Sequence, residues 1–197
     1  MKRRVISTKQ ITDNKFLNLH EFLMKDEKGD CSSYYVASRN KNPLENKNKA
    51  DAVCICATHH GKLVLIKQYR PAINDYIYEL PAGLIDKGED FYQAGIREFK
   101  EETGLNLDVI KNDIFSKPFF NSVGMTDESS SIIFGYASGD ASNDFLEKYE
   151  EIEVIFANEN EVKRILKEEN VSTKCAYMMI NYLNFKNRYL FDFLKGE

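Results

Sequence analysis

Glu98, Glu101 and Glu102 lie within one short run, with Arg97 directly before them. On a helix, positions three and four apart fall on one side, so the three carboxylates gather along a single stripe. Like charges packed this way destabilise a helix unless something cationic sits among them. Hard divalent cations such as Mg²⁺ take oxygen ligands, usually one or two carboxylates together with the phosphates of a substrate. The chemistry on offer is therefore metal-assisted attack on a phosphate. Glu98 and Glu102 are the first candidate metal ligands and Glu101 the next. Arg97 carries a planar fork that can grip two carboxylate oxygens and hold these ligands in place. Glu89 is its expected partner.

The elements that must position these groups run from Gly83 to Leu105. Glu89-Asp90 makes an acidic start, Phe91, Ile96 and Phe99 recur at helical spacing, and Gly104 stands just past the end. The pattern predicts a glycine-led loop, one helix and a glycine stop.

Gly83, Glu89 and the run Arg97-Glu98-Phe99-Lys100-Glu101-Glu102-Thr103-Gly104-Leu105 resemble a complete Nudix hydrolase signature. A chance match of this kind is roughly 10⁻⁷ or rarer at ordinary residue usage, so the spacing is read as a site and not as a merely solvated acidic helix. The resemblance implies an α+β fold, a Nudix-type α/β/α sandwich with a mixed sheet, preceded by a small N-terminal antiparallel strand domain. It implies Mg²⁺ as cofactor, with Mn²⁺ as a substitute, and adds the backbone carbonyl of Ala82 as a further ligand.

Gln68-Tyr69-Arg70-Pro71 followed by Glu79-Leu80-Pro81-Ala82-Gly83-Leu84-Ile85-Asp86 is similar to the ADP-ribose (ADP-sugar) pyrophosphatase branch of that family. Ser122-Val123-Gly124-Met125-Thr126-Asp127-Glu128 resembles a segment of the same branch whose final glutamate helps activate water. The resemblance makes Glu128 a candidate general base, with Glu101 or a hydroxide held by the metal as the alternative. Val123 stands where that branch usually has proline. The resemblance also places Phe16 and Tyr34 near adenine-stacking aromatics, ordinary sheet packing being the alternative for both. Arg39 and Arg70 fall near phosphate- or ribose-binding arginines, and Gly83 and Leu84 among the substrate contacts. The implied activity is Mg²⁺-dependent hydrolysis of the diphosphate bridge of ADP-ribose or a related nucleotide sugar, giving AMP and ribose 5-phosphate, by a homodimer. The alternatives are another Nudix substrate (NADH, a GDP-sugar, a nucleoside triphosphate) or a non-catalytic sensor that binds ADP-ribose.

The rest of the chain is read as support. At 197 residues, 43% hydrophobic and 29% charged, it suits a water-soluble domain with a small appendage. We expect residues 1–48 to form a strand-rich dimerisation and substrate-contact segment with its linker, and 49–197 the Nudix domain. A net charge of −4 without a basic patch argues against a nucleic-acid surface. No apolar run is long enough for a membrane span, and MKRRVISTKQ has no apolar stretch behind it to make a signal peptide. The four cysteines make no disulfide scaffold, which points to the cytoplasm. Cys54 and Cys56 alternate in an apolar strand and are read as packing groups, zinc binding being the alternative. His59-His60-Gly61 is read as an exposed turn.

Strands are expected over Val5–Ile11, Phe16–Lys25, Ser32–Arg39, Ala52–Ala57, Leu63–Ile66, Ile77–Leu80, Leu107–Phe115, Ile132–Ala137 and Ile152–Phe156. A helix capped by Asn158 should run to about Glu169, and a second, aromatic-rich helix should span 173–194 and pack into the core or a dimer.

Overall fold

The computed structural model describes residues 4–44, 48–112, 117–146, 151–185 and 190–194. In chain order the elements are β1 (Arg4–Gln10), β2 (Asn18–Lys25), β3 (Cys31–Ser38), β4 (Ala52–His59), β5 (Lys62–Arg70), β6 (Asp75–Glu79), β7 (Ala82–Leu84), α1 (Phe91–Thr103), β8 (Asn106–Ile110), β9 (Phe119–Phe120), β10 (Ser129–Ser138), β11 (Ile152–Ala157), α2 (Glu159–Glu168) and α3 (Thr173–Asn184), with a 3-10 turn at Asp192–Leu194. The chain divides into two compact units, Met1–Asp51 with Lys117–Ser130, and Ala52–Ser116 with Ser131–Glu197.

The first unit is built on the antiparallel sheet β1-β2-β3. Asp26 holds the β2–β3 turn by accepting from the backbone N–H groups of Lys28 and Asp30. Before β2, Asn18 caps a loop: its Oδ1 accepts from the Asn14 N–H at 2.6 Å and its Nδ2 donates to the Asn14 carbonyl at 2.9 Å. The strand therefore starts at Asn18 and not at Phe16, which stands on the loop 68% exposed. The segment 117–130 joins this unit through an Ala37–Thr126 bridge and a bond from the Tyr34 hydroxyl to the Gly124 carbonyl at 2.6 Å.

The second unit is a mixed sheet in the order β11-β5-β4-β10-β8, with β6 beside β5 and β7 beside β4. Alternation along β4 sends Cys54 and Cys56 to one face and Val53, Ile55 and Ala57 to the other. The cysteine face packs against Val162 and Ile165 of α2 and Cys175, Met179 and Tyr182 of α3. The opposite face packs against Ala94 and Phe99 of α1. Helices thus cover both faces of one sheet, which is the α/β/α sandwich. All four cysteines are free, and burial pushes the Cys54 thiol up to about 11, which leaves it protonated and inert.

α2 begins at Asn158, whose side chain accepts from the Asn160 and Glu161 N–H groups. The single helix expected over 173–194 instead ends at Asn184. Leu190, Phe191 and Leu194 lie in the same core cluster as Tyr182. The end of the strand expected over Leu107–Phe115 lies partly outside the described residues. No helix among those described is long and apolar enough to cross a membrane.

Candidate active site

α1 starts with a capping box. Asp90 Oδ1 accepts from the Tyr92 and Gln93 N–H groups, both at 2.8 Å, and Gln93 Oε1 accepts from the Asp90 N–H at 3.0 Å. It stops at Gly104, whose φ of 73° suits glycine and whose N–H donates to the Lys100 carbonyl at 2.9 Å. Ala94 and Phe99 turn inward, whereas Ile96, expected on the apolar face, is 45% exposed. The reason is that Gly95, Glu102 and Thr103 occupy buried positions of the helix, so the inward stripe is rotated away from Ile96.

With the buried face so set, Arg97, Glu98, Glu101 and Glu102 face a cavity of about 320 Å³. Its other walls are Ala82, Gly83 and Leu84 of β7, and Asp86 from the following loop. Arg97 is the hub. Its Nε and Nη2 each lie 3.0 Å from one oxygen of Glu89, and its Nη1 lies 2.8 Å from Glu98 Oε1 and 3.0 Å from Glu101 Oε2. Nη2 also donates to the Leu84 carbonyl at 3.0 Å. One guanidinium thus ties two glutamates of the stripe to the loop that faces them. The bond from Arg97, opposed by burial, holds the Glu89 carboxyl below its ordinary range. The bond to Glu89, again against burial, raises Arg97.

Glu102 is only 5% exposed and accepts the Ala82 N–H at 3.0 Å, so the buried carboxylate is anchored to β7. Gly83 lies directly against Glu98: a Cβ there would fall 1.9 Å from Glu98 Cδ. A residue expected among the substrate contacts is thus also the one that leaves room for a carboxylate.

The donors around this cavity are hard oxygens, the set that suits a divalent cation completing its shell with water and phosphate oxygens. Glu98, Glu101, Glu102 and the Ala82 carbonyl are the groups that would hold it. Among the described residues no three acidic, histidine or cysteine side chains already stand close enough together to ligate one ion. Arg97 supplies the positive charge between Glu98 and Glu101. Because such ions commonly take only one or two protein carboxylates, the chemistry of the donor set fits.

The remaining candidates divide between the two units. Arg70, on β5 of the second unit, pairs with Glu79 at 2.7 Å and does not line the cavity. In the first unit Arg39 Nε lies 3.3 Å from Glu128 Oε1, and Asn121 Nδ2 donates to Glu128 Oε2 at 3.1 Å. Tyr34 and Phe16 belong to that unit and are partly and well exposed, respectively. Asp86 and Glu79 were not singled out by sequence reasoning. Both lie inside the Glu79–Asp86 run, where an acidic side chain beside a glycine-led loop was the available signal.

This fold is shared with known proteins. A family model for the NUDIX domain matches residues 47–175. A Caenorhabditis elegans protein named putative nudix hydrolase 2 is 35% identical over 159 residues, covering 76% of this chain and 70% of its own. The ADP-ribose pyrophosphatase of Saccharomyces cerevisiae is 32% identical over 122 residues, covering 59% of this chain and 53% of its own length. A crystal structure of an ADP compounds hydrolase superposes with a TM-score of 0.71 at 16% identity, over 95% of this chain and 97% of that one, and shows the same fold. The chain belongs to the Nudix hydrolase family. Enzymes of that family use divalent metal ions.

Proposed function

We propose that this chain is a Mg²⁺-dependent pyrophosphatase that cleaves the diphosphate bridge of ADP-ribose or a related nucleoside diphosphate sugar. The observation that carries the reading is the Arg97-clamped carboxylate stripe facing an open cavity beside Gly83. The name of the yeast relative supports the choice of substrate class.

Water attacks one phosphorus of the bridge, the bond from that phosphorus to the bridging oxygen breaks, and the water's proton passes to a general base. ADP-ribose and water give AMP and ribose 5-phosphate. A bound divalent cation neutralises the phosphate oxygens and lowers the pKa of water. Glu98 and Glu102 hold the cation site, with Glu101 and the Ala82 carbonyl beside them. Arg97 fixes the direction of Glu98 and Glu101 and is itself fixed by Glu89. Glu128 or Glu101 takes the proton. Phe16, Tyr34, Arg39, Arg70, Gly83 and Leu84 contact the nucleotide sugar.

The enzyme works as a cytoplasmic homodimer in this reading, with residues 1–48 as the dimerisation and substrate-contact segment and 49–197 as the Nudix domain. Exposed Ile11 and Leu19 of the first unit, joined by the bond from the Ile11 N–H to the Leu19 carbonyl at 2.8 Å, support a partner there.

The test is incubation of the protein and Mg²⁺ with a panel of nucleoside diphosphate derivatives and triphosphates. AMP released from ADP-ribose well ahead of the others is the expected result. Preference for a nucleoside triphosphate overturns the substrate assignment.

A further inference from the structure

β5 and β6 pair antiparallel, with Arg70 opposite Asp75, Gln68 opposite Ile77 and Ile66 opposite Glu79. An arginine facing an aspartate across a ladder is the ordinary cross-strand ion pair. Arg70 does not make it. Its Nε reaches along the sheet to Glu79 Oε2 at 2.7 Å, and Gln68 Nε2, between them on the same face, donates to that oxygen at 2.9 Å.

Asp75 is engaged elsewhere. Its Oδ1 accepts from the Tyr76 N–H at 2.7 Å, and its Oδ2 accepts from Asn170 Nδ2 at 3.0 Å. Asn170 sits in the loop between α2 and α3, and its carbonyl accepts from the Tyr78 N–H at 2.9 Å. The loop is thereby fastened along β6 and keeps Asp75 occupied.

The consequence is directional. Glu79 is the last residue of β6, just before the chain turns into β7 and the wall of the cavity. Arg70 is therefore drawn toward the cavity end of β6. Binding through Nε leaves the Nη1/Nη2 edge of the guanidinium, the edge that suits bidentate contact with phosphate. Among the described residues that edge has no other ion pair, and the side chain is 49% exposed.

We propose that Glu79, steadied by Gln68, is a positioning residue that draws Arg70 off its cross-strand partner and presents its terminal nitrogens to a phosphate of the substrate. The proposal rests on the pyrophosphatase reading for the identity of that phosphate. Its test is a double-mutant cycle of Glu79→Ala and Arg70→Ala on the wild-type chain, read as KM and kcat separately. Glu79→Ala should raise KM about five- to tenfold, with kcat falling no more than about twofold, the usual range for one charge-assisted contact. In the Arg70→Ala background the same substitution should change KM less than about twofold. Equal effects in both backgrounds would mean that Glu79 acts on the fold and not through Arg70, and would overturn the proposal. If Glu79→Ala does not fold, Glu79→Gln takes its place in the cycle. If the wild type cleaves no nucleoside diphosphate sugar, the pyrophosphatase reading fails. The cycle is then read on the dissociation constant of inorganic pyrophosphate by calorimetry, where additivity again overturns the positioning role.

Discussion

Gly83 and Glu98 occupy one place: a single carbon added to residue 83 would lie 1.9 Å from the carboxyl carbon of Glu98. Neither backbone torsion nor a turn demands glycine here; the neighbouring carboxylate does. Gly83→Ala must push Glu98 off its position against Arg97. We expect kcat/KM to fall about a hundredfold, the scale on which a displaced catalytic group is felt, measured with ADP-ribose at saturating Mg²⁺. Near wild-type turnover in that variant would show that the position of Glu98 does not matter.

Glu102 is buried and fastened to the Ala82 N–H. Glu102→Gln keeps an oxygen that can accept this bond but removes the charge. The thermal midpoint should shift by only a few degrees while kcat falls about a thousandfold, as loss of several kcal/mol of charge stabilisation implies. Retained wild-type rate would reject the placement of the cation.

Arg97 makes the site depend on acid. Its bond holds the Glu89 carboxyl below the ordinary 4.5, so the contribution to stability is present above that value and lost as pH falls through the lower, folded pKa. Arg97→Ala lacks the contribution at every pH. The difference in thermal midpoint between wild type and Arg97→Ala should therefore shrink between pH 7 and pH 3. A difference independent of pH would contradict the clamp.

The end of α1 is a matter of stability alone. Gly104 has φ of 73°, and a Cβ there would lie 2.5 Å from the Ser142 nitrogen. Gly104→Ala should cost at least about 1 kcal/mol, a midpoint lowered by about 2–4 °C for a chain of this size, as calorimetry would register. An unchanged midpoint would mean that the helix end relaxes freely.

What was legible in the sequence followed local rules. The acidic start at Glu89-Asp90 and the glycine at Gly104 marked the two ends of α1, and the uniformly apolar run Ala52–Ala57 marked a buried strand. What was not legible depended on contacts distant in sequence. Ile96 fits the helical period, yet the sheet meets α1 on another side. The helix after Thr173 ends at Asn184 with no glycine or proline in the sequence to announce its end. Phe16 reads as a strand residue until Asn18 bonds back to Asn14. In the site, the carboxylate spacing pointed to Glu98, Glu101 and Glu102, and Glu89 was the partner expected for Arg97, which it meets through Nε and Nη2. The choice of Glu79 over Asp75 by Arg70 did not, because it turns on Asn170, on a different element.

The most direct measurement is Mn²⁺ binding followed by electron paramagnetic resonance, in the presence of an ADP-ribose analogue with a non-hydrolysable methylene bridge. Wild-type protein should bind the ion, and the Glu98→Gln/Glu102→Gln double variant, shown folded by circular dichroism, should leave it free in solution. Equal binding by the two proteins would place the cation elsewhere and contradict the account.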